Sequence, residues 1–198
     1  LGHQTLGLLG ELGVPSFCFI NGLALGGGLE IALNCDYRTL SSSAAALALP
    51  EVFLGLIPGW GGAWLLPNLI GIKNALTVMV ENPLKTNRTL KPAQALELGI
   101  ADVMFPPARF LEDSLSWADS VVAGTTKVKR PNEPGAIERS TLWPVAINVA
   151  RKSLREKIGT VALAPYAALD LLLSAKSSSK AKGFADEDAA LGKLIAGD

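Results

Sequence analysis

The stretch that decides the fold is Ser16-Phe-Cys-Phe-Ile-Asn-Gly-Leu-Ala-Leu-Gly-Gly-Gly-Leu-Glu-Ile-Ala-Leu-Asn-Cys-Asp36. Its short apolar run 17–20 predicts a buried strand, and Asn21-Gly22 is a strong turn signal. Three glycines at 26–28 precede the apolar run 29–35, which is too uniformly apolar for a surface helix and predicts a buried one. The free N–H groups of such a helix start point at one spot, where glycines let a ligand approach closely.

Two carboxylates accompany two glycine-rich loops. Glu30 falls in the first turn of the predicted buried helix, and Glu51 precedes the second loop, Pro58-Gly-Trp-Gly-Gly62. Paired carboxylates suit general acid–base catalysis when both reach one substrate, and apolar surroundings raise the pKa of at least one. The helix start at Gly27 is a candidate N–H donor to a developing oxyanion. Spacing alone equally allows a helix-dipole role for Glu30 and a solvated turn position for Glu51.

Composition bounds the class of protein. The 198 residues are 49% hydrophobic, enough for one domain with a good core and an appendage. Lys+Arg and Asp+Glu are each 18, and this balance weighs against a nucleic-acid partner. No apolar run approaches the roughly 18 residues that span a bilayer, so no membrane span is expected.

Cys18 and Cys35 lie in apolar segments and are expected to be buried thiols, as in a cytoplasmic or organelle-matrix protein. The only histidine, His3, has no identifiable nucleophile partner and is expected to have no catalytic role.

Hydrophobic periodicity and turn residues predict the elements around this stretch. Before it, a helix is expected at 4–12, ended by Gly13. After it come a strand at 37–40, an apolar run at 44–49 that is ambiguous between strand and helix, helices at 63–70 and 72–80, a loop at 84–90, a short helix at 92–98, a strand at 100–105 and an amphipathic helix at 109–123. Pro67 is expected to kink or shorten the helix at 63–70.

Composition changes after Gly124. The segment 125–135 carries Lys127, Lys129, Arg130 and two prolines without apolar periodicity, and it predicts a solvated linker. Three helical stretches follow, at about 136–157, 160–176 and 184–196. The sequence therefore predicts a domain over residues 1–124, and a linker with a helical extension over residues 125–198.

Two motifs carry a family resemblance. The sequence Ile20-Asn-Gly-Leu-Ala-Leu-Gly-Gly-Gly-Leu-Glu-Ile-Ala-Leu-Asn-Cys-Asp36, followed by Leu49-Pro-Glu-Val-Phe-Leu-Gly-Leu-Ile-Pro-Gly-Trp-Gly-Gly62, resembles the enoyl-CoA hydratase/isomerase (crotonase) family. Leu90-Lys-Pro-Ala-Gln-Ala-Leu-Glu-Leu-Gly-Ile-Ala-Asp102 is similar more weakly. The resemblance covers about residues 4–124. It implies an α/β fold, a spiral of ββα units followed by C-terminal helices that pack trimers, and binding of an acyl-CoA thioester with stabilisation of an enolate-like anion.

The resemblance also implies roles for single residues. Glu30 occupies the position that orients and activates water, and Glu51 the position that exchanges a proton with the α-carbon. Gly27 resembles the glycine whose N–H forms half of the oxyanion hole, with Gly26 beside it in the substrate-binding loop. Gly59 resembles the glycine that lines the water site.

Having both acids favours hydration of a 2-enoyl-CoA to a 3-hydroxyacyl-CoA, as in fatty-acid β-oxidation, over isomerisation. No metal or redox cofactor is implied, since the substrate carries the coenzyme A and no G-x-G-x-x-G fingerprint for NAD occurs. The tail after Gly124 is reminiscent of the linker in multifunctional β-oxidation enzymes. The expected partners are therefore further copies in a trimer-based homo-oligomer, or a fused or associated 3-hydroxyacyl-CoA dehydrogenase. An enoyl-CoA isomerase and a non-catalytic scaffold or oligomerisation module remain the alternatives.

Two departures accompany the resemblance. The chain begins at Leu1, within what the family pattern makes the middle of the fold, so the spiral is expected to be incomplete at its N-terminus. The family's second oxyanion donor and much of its CoA pocket come from the segment upstream. After Gly62 the chain has Ala63-Trp-Leu-Leu-Pro67 where relatives usually carry a polar, arginine-containing stretch.

Overall fold

Parallel strands form the framework of the molecule. The computed structural model describes residues 2–197 without the side chain of His3, so the expectation for His3 lies outside what is described. Strands β1 (Phe17–Ile20), β3 (Tyr37–Ser41) and β5 (Val103–Phe105) form one sheet in the order β1-β3-β5, and β2 (Ala24–Leu25) pairs with β4 (Leu47–Ala48). Every pairing of these strands is parallel.

Helices supply most of the remaining regular structure. They are α1 (Gly2–Gly7), α2 (Gly27–Asn34), α3 (Gly62–Leu76), α4 (Asn82–Leu84), α5 (Pro92–Leu98), α6 (Phe110–Val122), α7 (Trp143–Ile158), α8 (Leu163–Ala175) and α9 (Lys180–Ala196). Short 3₁₀ turns occupy Leu8–Gly10, Glu51–Leu54 and Pro107–Arg109, and π-helical turns occupy Thr77–Glu81 and Glu138–Leu142. The predicted α/β class with C-terminal helices is confirmed.

The unit β1-α2-β3 fixes the position of the first glycine loop, residues 26–28. Because β1 and β3 are parallel, the chain must cross over between them, and α2 makes that crossover. Strand β2 lies between β1 and this loop and pairs with β4, so the ambiguous run 44–49 contains a two-residue strand and no helix. The loop and the segment after β4, which contains Glu51, are therefore brought side by side.

The expectation that Pro67 kinks or shortens its helix is wrong. Helical backbone continues through Pro67 to Ile70, and the break falls at Gly71, whose φ of 76° and ψ of 163° are accessible essentially only to glycine. The Glu138 carboxylate accepts the Ile72 N–H at 2.9 Å and so satisfies a donor at the start of the next helical segment. Two helical segments are thus present with Gly71 between them, as the predicted bounds 63–70 and 72–80 require, and only the expected effect of Pro67 is absent.

The C-terminal helices share one apolar core with the strands. Trp143 of α7 is fully buried and donates its Nε1–H to the Leu172 carbonyl of α8 at 2.8 Å. Leu29 of α2 and Leu169 of α8 belong to the same buried cluster. The predicted domain boundary between residues 124 and 125 remains a prediction. The apolar core includes residues from both sides of it.

The segment 125–135 contains no regular element, as predicted, but it is not simply a solvated linker. Arg130 lies against the first part of the chain, with its Nε 3.1 Å from the Asp102 carboxylate. Asn132 donates to the Leu98 carbonyl at 3.0 Å. An ion pair and amide contacts therefore hold this segment on the surface of the β-sheet region.

One helical run, Gly62–Leu84, is long and apolar enough by length and composition to cross a membrane, which the sequence analysis did not anticipate. Its most apolar window has a mean hydropathy of 1.3, but 61% of that window is buried inside the fold. A buried core helix passes the same test, and its burial around Ile70 and Met79 accounts for its composition.

Replacing Gly71 with alanine is expected to lower the free energy of unfolding by about 1–3 kcal/mol, because φ is positive there. A Cβ at Gly71 would also fall 2.6 Å from the Glu138 Oε1. Gly192→Ala in α9 is the matched control, since nothing lies within 4 Å of its Cβ position and helical glycine costs about 1 kcal/mol relative to alanine. Urea denaturation should show opposite shifts for the two variants, and an unchanged midpoint for Gly71→Ala would contradict this assignment.

Candidate active site

Glu30 is buried in the first turn of α2 and is held by the second glycine loop, residues 58–63. Glu30 is only 2% exposed. Its Oε1 accepts the N–H of Trp60 at 2.7 Å and the N–H of Gly62 at 2.9 Å. Burial raises the pKa of Glu30 above its ordinary value, and the backbone N–H groups of Gly62, Trp60 and Gly59 partly oppose this. The carboxyl group therefore has a fixed orientation and holds a proton to a higher pH than a solvated carboxyl does.

The side chain of Asn34 joins α2 to the same loop. Its Nδ2 donates to the Glu30 carbonyl and to the Trp60 carbonyl, both at 2.9 Å. Asn34 lies one helical turn after Glu30 and is itself buried. The loop is thus tied to α2 through its carbonyl as well as through its N–H groups.

Glu51 is the second acid of the site. It begins the 3₁₀ turn Glu51–Leu54, and its Oε1 lies so close to Gly26 that a Cβ there would be 2.8 Å away. Its Oε2 is buried and has no hydrogen-bond partner among residues 2–197. Burial, with a smaller contribution from the charge of Glu30, raises the pKa of Glu51 to about 7. The structure therefore brings both predicted acids together, and one of them can hold or release a proton near neutral pH.

The glycines of the first loop play different parts. The Gly26 N–H donates to the Ala48 carbonyl at 2.9 Å, and its φ of 53° with ψ of −126° favours glycine. The Gly27 N–H has no acceptor within the described part of the chain, as an oxyanion donor requires. The Trp60 ring covers Gly27, because a Cβ there would fall 2.3 Å from Cζ3. Gly26 thus makes room for Glu51, and Gly27 presents a donor.

Gly59, predicted to line the water site, lies between Glu30 and the C-terminal helix α9. Its N–H contributes to lowering the pKa of Glu30, and a Cβ at Gly59 would meet Leu191 at 2.5 Å. The close approach of α9 explains why this position lacks a side chain.

Apolar side chains border the segments that carry the acids. Leu23 and Leu25 flank the first loop, Phe53 and Leu54 follow Glu51, and all four are exposed. A cavity of about 950 Å³ lies instead at the C-terminal end of α2, where neither acid lines it. The acid pair is therefore separate from this cavity, and exposed apolar side chains occur next to both acid-bearing segments.

A third acid, Glu187, was missed by the sequence analysis. It lies in α9, is 1% exposed, and accepts the N–H of Gly61 at 2.5 Å and of Ala63 at 2.8 Å. A sequence signal was present, because Glu187 falls in the same helical stripe as Phe184 and Leu191. An acid within an apolar stripe indicates a buried contact rather than a solvated face.

No group of three or more histidine, cysteine or acidic side chains that could hold a metal ion is found in the part of the chain that the structure describes. The site that does form consists of two carboxyl groups, a free N–H at a helix start and a loop of donated amides. This arrangement is the one used for proton transfer next to a carbonyl, where acids move protons and N–H groups stabilise an oxyanion.

The family model for enoyl-CoA hydratase/isomerase matches residues 4–131, and the chain belongs to that family. The crotonase resemblance found in the sequence motifs is confirmed by this match.

Curated relatives include the fatty acid oxidation complex subunit alpha of Shewanella amazonensis, 34% identical over 200 residues and 98% of this chain. The protein of the same description from Acinetobacter baumannii strain AYE is 34% identical over 194 residues and 92% of this chain. The chain spans only about a quarter of the length of these relatives, 27% and 26% respectively.

Solved structures show the same fold. An enoyl-CoA hydratase from Geobacillus kaustophilus HTA426 is 28% identical with a TM-score of 0.55, and the match covers 98% of this chain and 63% of that one. An enoyl-CoA hydratase from Bacillus anthracis is 25% identical with a TM-score of 0.55, covering 98% of this chain and 59% of that one. The crotonase-like fold class is therefore confirmed.

We predict that Glu51 titrates with a pKa of about 7, and that Glu30→Gln lowers this value because it removes a neighbouring negative charge. Carboxyl-carbon NMR of the protein across pH 4–9 measures both. Glu97→Gln, an exposed acid of α5, is the control and should leave the titration of Glu51 unchanged. A Glu51 that titrates at its ordinary value of 4.5, or that ignores the loss of Glu30, would contradict the proximity of the two acids.

Proposed function

We propose that this chain carries the hydratase chemistry of an enzyme that adds water, with syn stereochemistry, to a 2-enoyl-CoA thioester in fatty-acid β-oxidation. The observation that carries the proposal is that two buried acids, Glu30 and Glu51, both lie beside the first glycine loop, where the Gly27 N–H has no acceptor among the described residues. The names of the relatives support the substrate class, since the solved neighbours are enoyl-CoA hydratases and the curated ones are fatty acid oxidation complex subunits.

In the proposed reaction, the Glu30 carboxylate accepts a proton from water as the water oxygen bonds to C3. The electrons of the C2–C3 double bond move towards the thioester, whose oxygen gains charge and is stabilised by the Gly27 N–H. Protonated Glu51 then delivers its proton to C2. The proton held by Glu30 returns through solvent to Glu51, which restores the starting protonation and completes the net addition of one water.

The electrostatics of the acids support this division of roles. Glu51 must be protonated to act as the donor, and its pKa of about 7 leaves a substantial protonated fraction at neutral pH. Glu30 accepts two backbone N–H bonds, which favour its ionised form relative to burial alone. The exposed apolar border formed by Leu23, Leu25, Phe53 and Leu54 suits an acyl chain.

The proposal includes no metal or redox cofactor, because acid–base chemistry and oxyanion stabilisation account for hydration. The proposed partners are copies of the chain in a trimer-based homo-oligomer, or a fused or associated 3-hydroxyacyl-CoA dehydrogenase. Leu142, just before α7, and Val145 and Val149 within it are exposed at helical spacing and support such a contact. A cytoplasmic or organelle-matrix location is proposed from the two free thiols, Cys18 and Cys35.

Glu51→Gln and Glu30→Gln are each expected to lower turnover of a short 2-enoyl-CoA by about 10²- to 10⁴-fold, the usual contribution of a positioned acid or base. Loss of the enoyl-thioester absorbance measures turnover. Glu97→Gln, at an exposed position of α5, is the matched control and should leave turnover unchanged.

The outcomes separate the alternatives. Turnover of a 3-enoyl-CoA that exceeds hydration would favour an isomerase. A folded wild-type protein that turns over neither substrate would favour a scaffold or oligomerisation module. Unchanged hydration in Glu51→Gln would overturn the role of Glu51.

A further inference from the structure

The second glycine loop is held by two carboxylates on opposite sides. Glu30 of α2 accepts the N–H groups of Trp60 and Gly62, and Glu187 of α9 accepts those of Gly61 and Ala63. Four successive backbone N–H groups therefore alternate between two buried acids. Each carboxylate takes its two donors from residues two positions apart.

Glu187 has no solvent to replace these contacts. It is 1% exposed, and both of its carboxylate oxygens are occupied by loop amides. Burial and the negative charge of Glu30 raise the pKa of Glu187 well above its ordinary value. The hydrogen bonds from the Gly61 and Ala63 N–H groups thus offset part of the free-energy cost of burying the Glu187 carboxyl group.

Aromatic and apolar side chains of α9 press on the same loop. A Cβ at Gly61 would fall 2.3 Å from the Phe184 ring, and one at Gly59 would fall 2.5 Å from Leu191. The Gly61 φ of 101° lies in the region that favours glycine. The loop therefore fits between α2 and α9 with no spare space, so a displacement on the α9 side moves the amides that face Glu30.

We propose that Glu187 is a positioning residue for the acid pair: by binding the Gly61 and Ala63 N–H groups, it fixes the loop conformation in which the Trp60 and Gly62 N–H groups orient the Glu30 carboxylate. The consequence for turnover rests on the proposed function, whereas the consequence for the loop amides does not. The C-terminal helix α9 then contributes to the geometry of the site through Glu187, without contacting the substrate.

The contrasting possibility is that Glu187 only anchors α9. In that case the loss of Glu187 would affect the Gly61 and Ala63 N–H groups that it accepts and the stability of α9, but not the N–H groups that Glu30 accepts. The two possibilities differ at Trp60 and Gly62, which makes these residues the place to measure.

Glu187→Gln is the decisive variant, because a glutamine has the same shape but its NH₂ group cannot accept an N–H. Amide hydrogen exchange followed by NMR should show the protection of Gly61 and Ala63 falling by about tenfold or more. The proposal requires the protection of Trp60 and Gly62 to fall as well. Asp186→Asn, which alters contacts with Lys182 of the same helix and Ser174 of α8 but none with the loop, should leave all four amides unchanged.

A change confined to Gly61 and Ala63, or no change at all, would overturn the proposal. Glu187→Asp provides a second variant for the case in which Glu187→Gln does not fold. It keeps the carboxyl group but is one methylene shorter, so the carboxyl oxygens draw away from the loop. The same four amides should lose protection together, and loss at only two of them would again contradict the proposal.

Kinetics give an independent readout. With a 2-enoyl-CoA substrate, Glu187→Gln should lower kcat by about tenfold or more with little change in KM, and this effect should vanish when Glu30 is already glutamine. If the fold-reductions in kcat from Glu30→Gln and Glu187→Gln multiply in the double variant, Glu187 does not act through Glu30. If the wild-type protein does not hydrate the substrate, the proposed function fails, and the amide exchange still decides the positioning role.

Discussion

The carboxylate of Glu30 is the constraint on which the site depends. A buried acid that gives up its water must receive hydrogen bonds in return, and here the Trp60 and Gly62 N–H groups provide them. Hydrogen bonds to charged groups contribute about 1.5–3 kcal/mol each, so losing the loop would leave Glu30 strongly destabilised. The approach also demands glycine, because a Cβ at Gly62 would fall 2.9 Å from the Glu30 Oε1.

This constraint links parts of the molecule that lie far apart in sequence. The first glycine loop starts α2 and makes room for Glu51, the second glycine loop binds Glu30, and α9 supports that loop through Glu187. Glu30 and Glu187 thus bind one short stretch of backbone from two helices, Glu51 lies against Gly26, and burial raises the pKa of each acid. Repulsion among them also favours states in which some are protonated, which suits a site whose work is to move protons.

Much of this arrangement could be predicted from local sequence. The glycines at 26–28 next to an apolar run correctly predicted the start of a buried helix with Glu30 in its first turn, since turn residues and periodicity act over a few positions. The separation of two helices at Gly71 agrees with the predicted bounds 63–70 and 72–80, whereas the kink expected from Pro67 is absent. The Glu138 contact that supports Gly71 comes from a distant segment and could not be predicted from local sequence. The partners of Glu187 are distant in the same way. Nothing in its own neighbourhood specifies that its partners are the amides of Gly61 and Ala63.

The central claim is that Glu30 and Glu51 act on one double bond from the same side. Its most direct test is hydration of a short 2-enoyl-CoA in ²H₂O, followed by NMR assignment of the relative configuration at C2 and C3 of the product. The account predicts one deuterium at C2, added to the same face as the C3 hydroxyl. Addition to opposite faces, or a mixture of the two configurations, would contradict it.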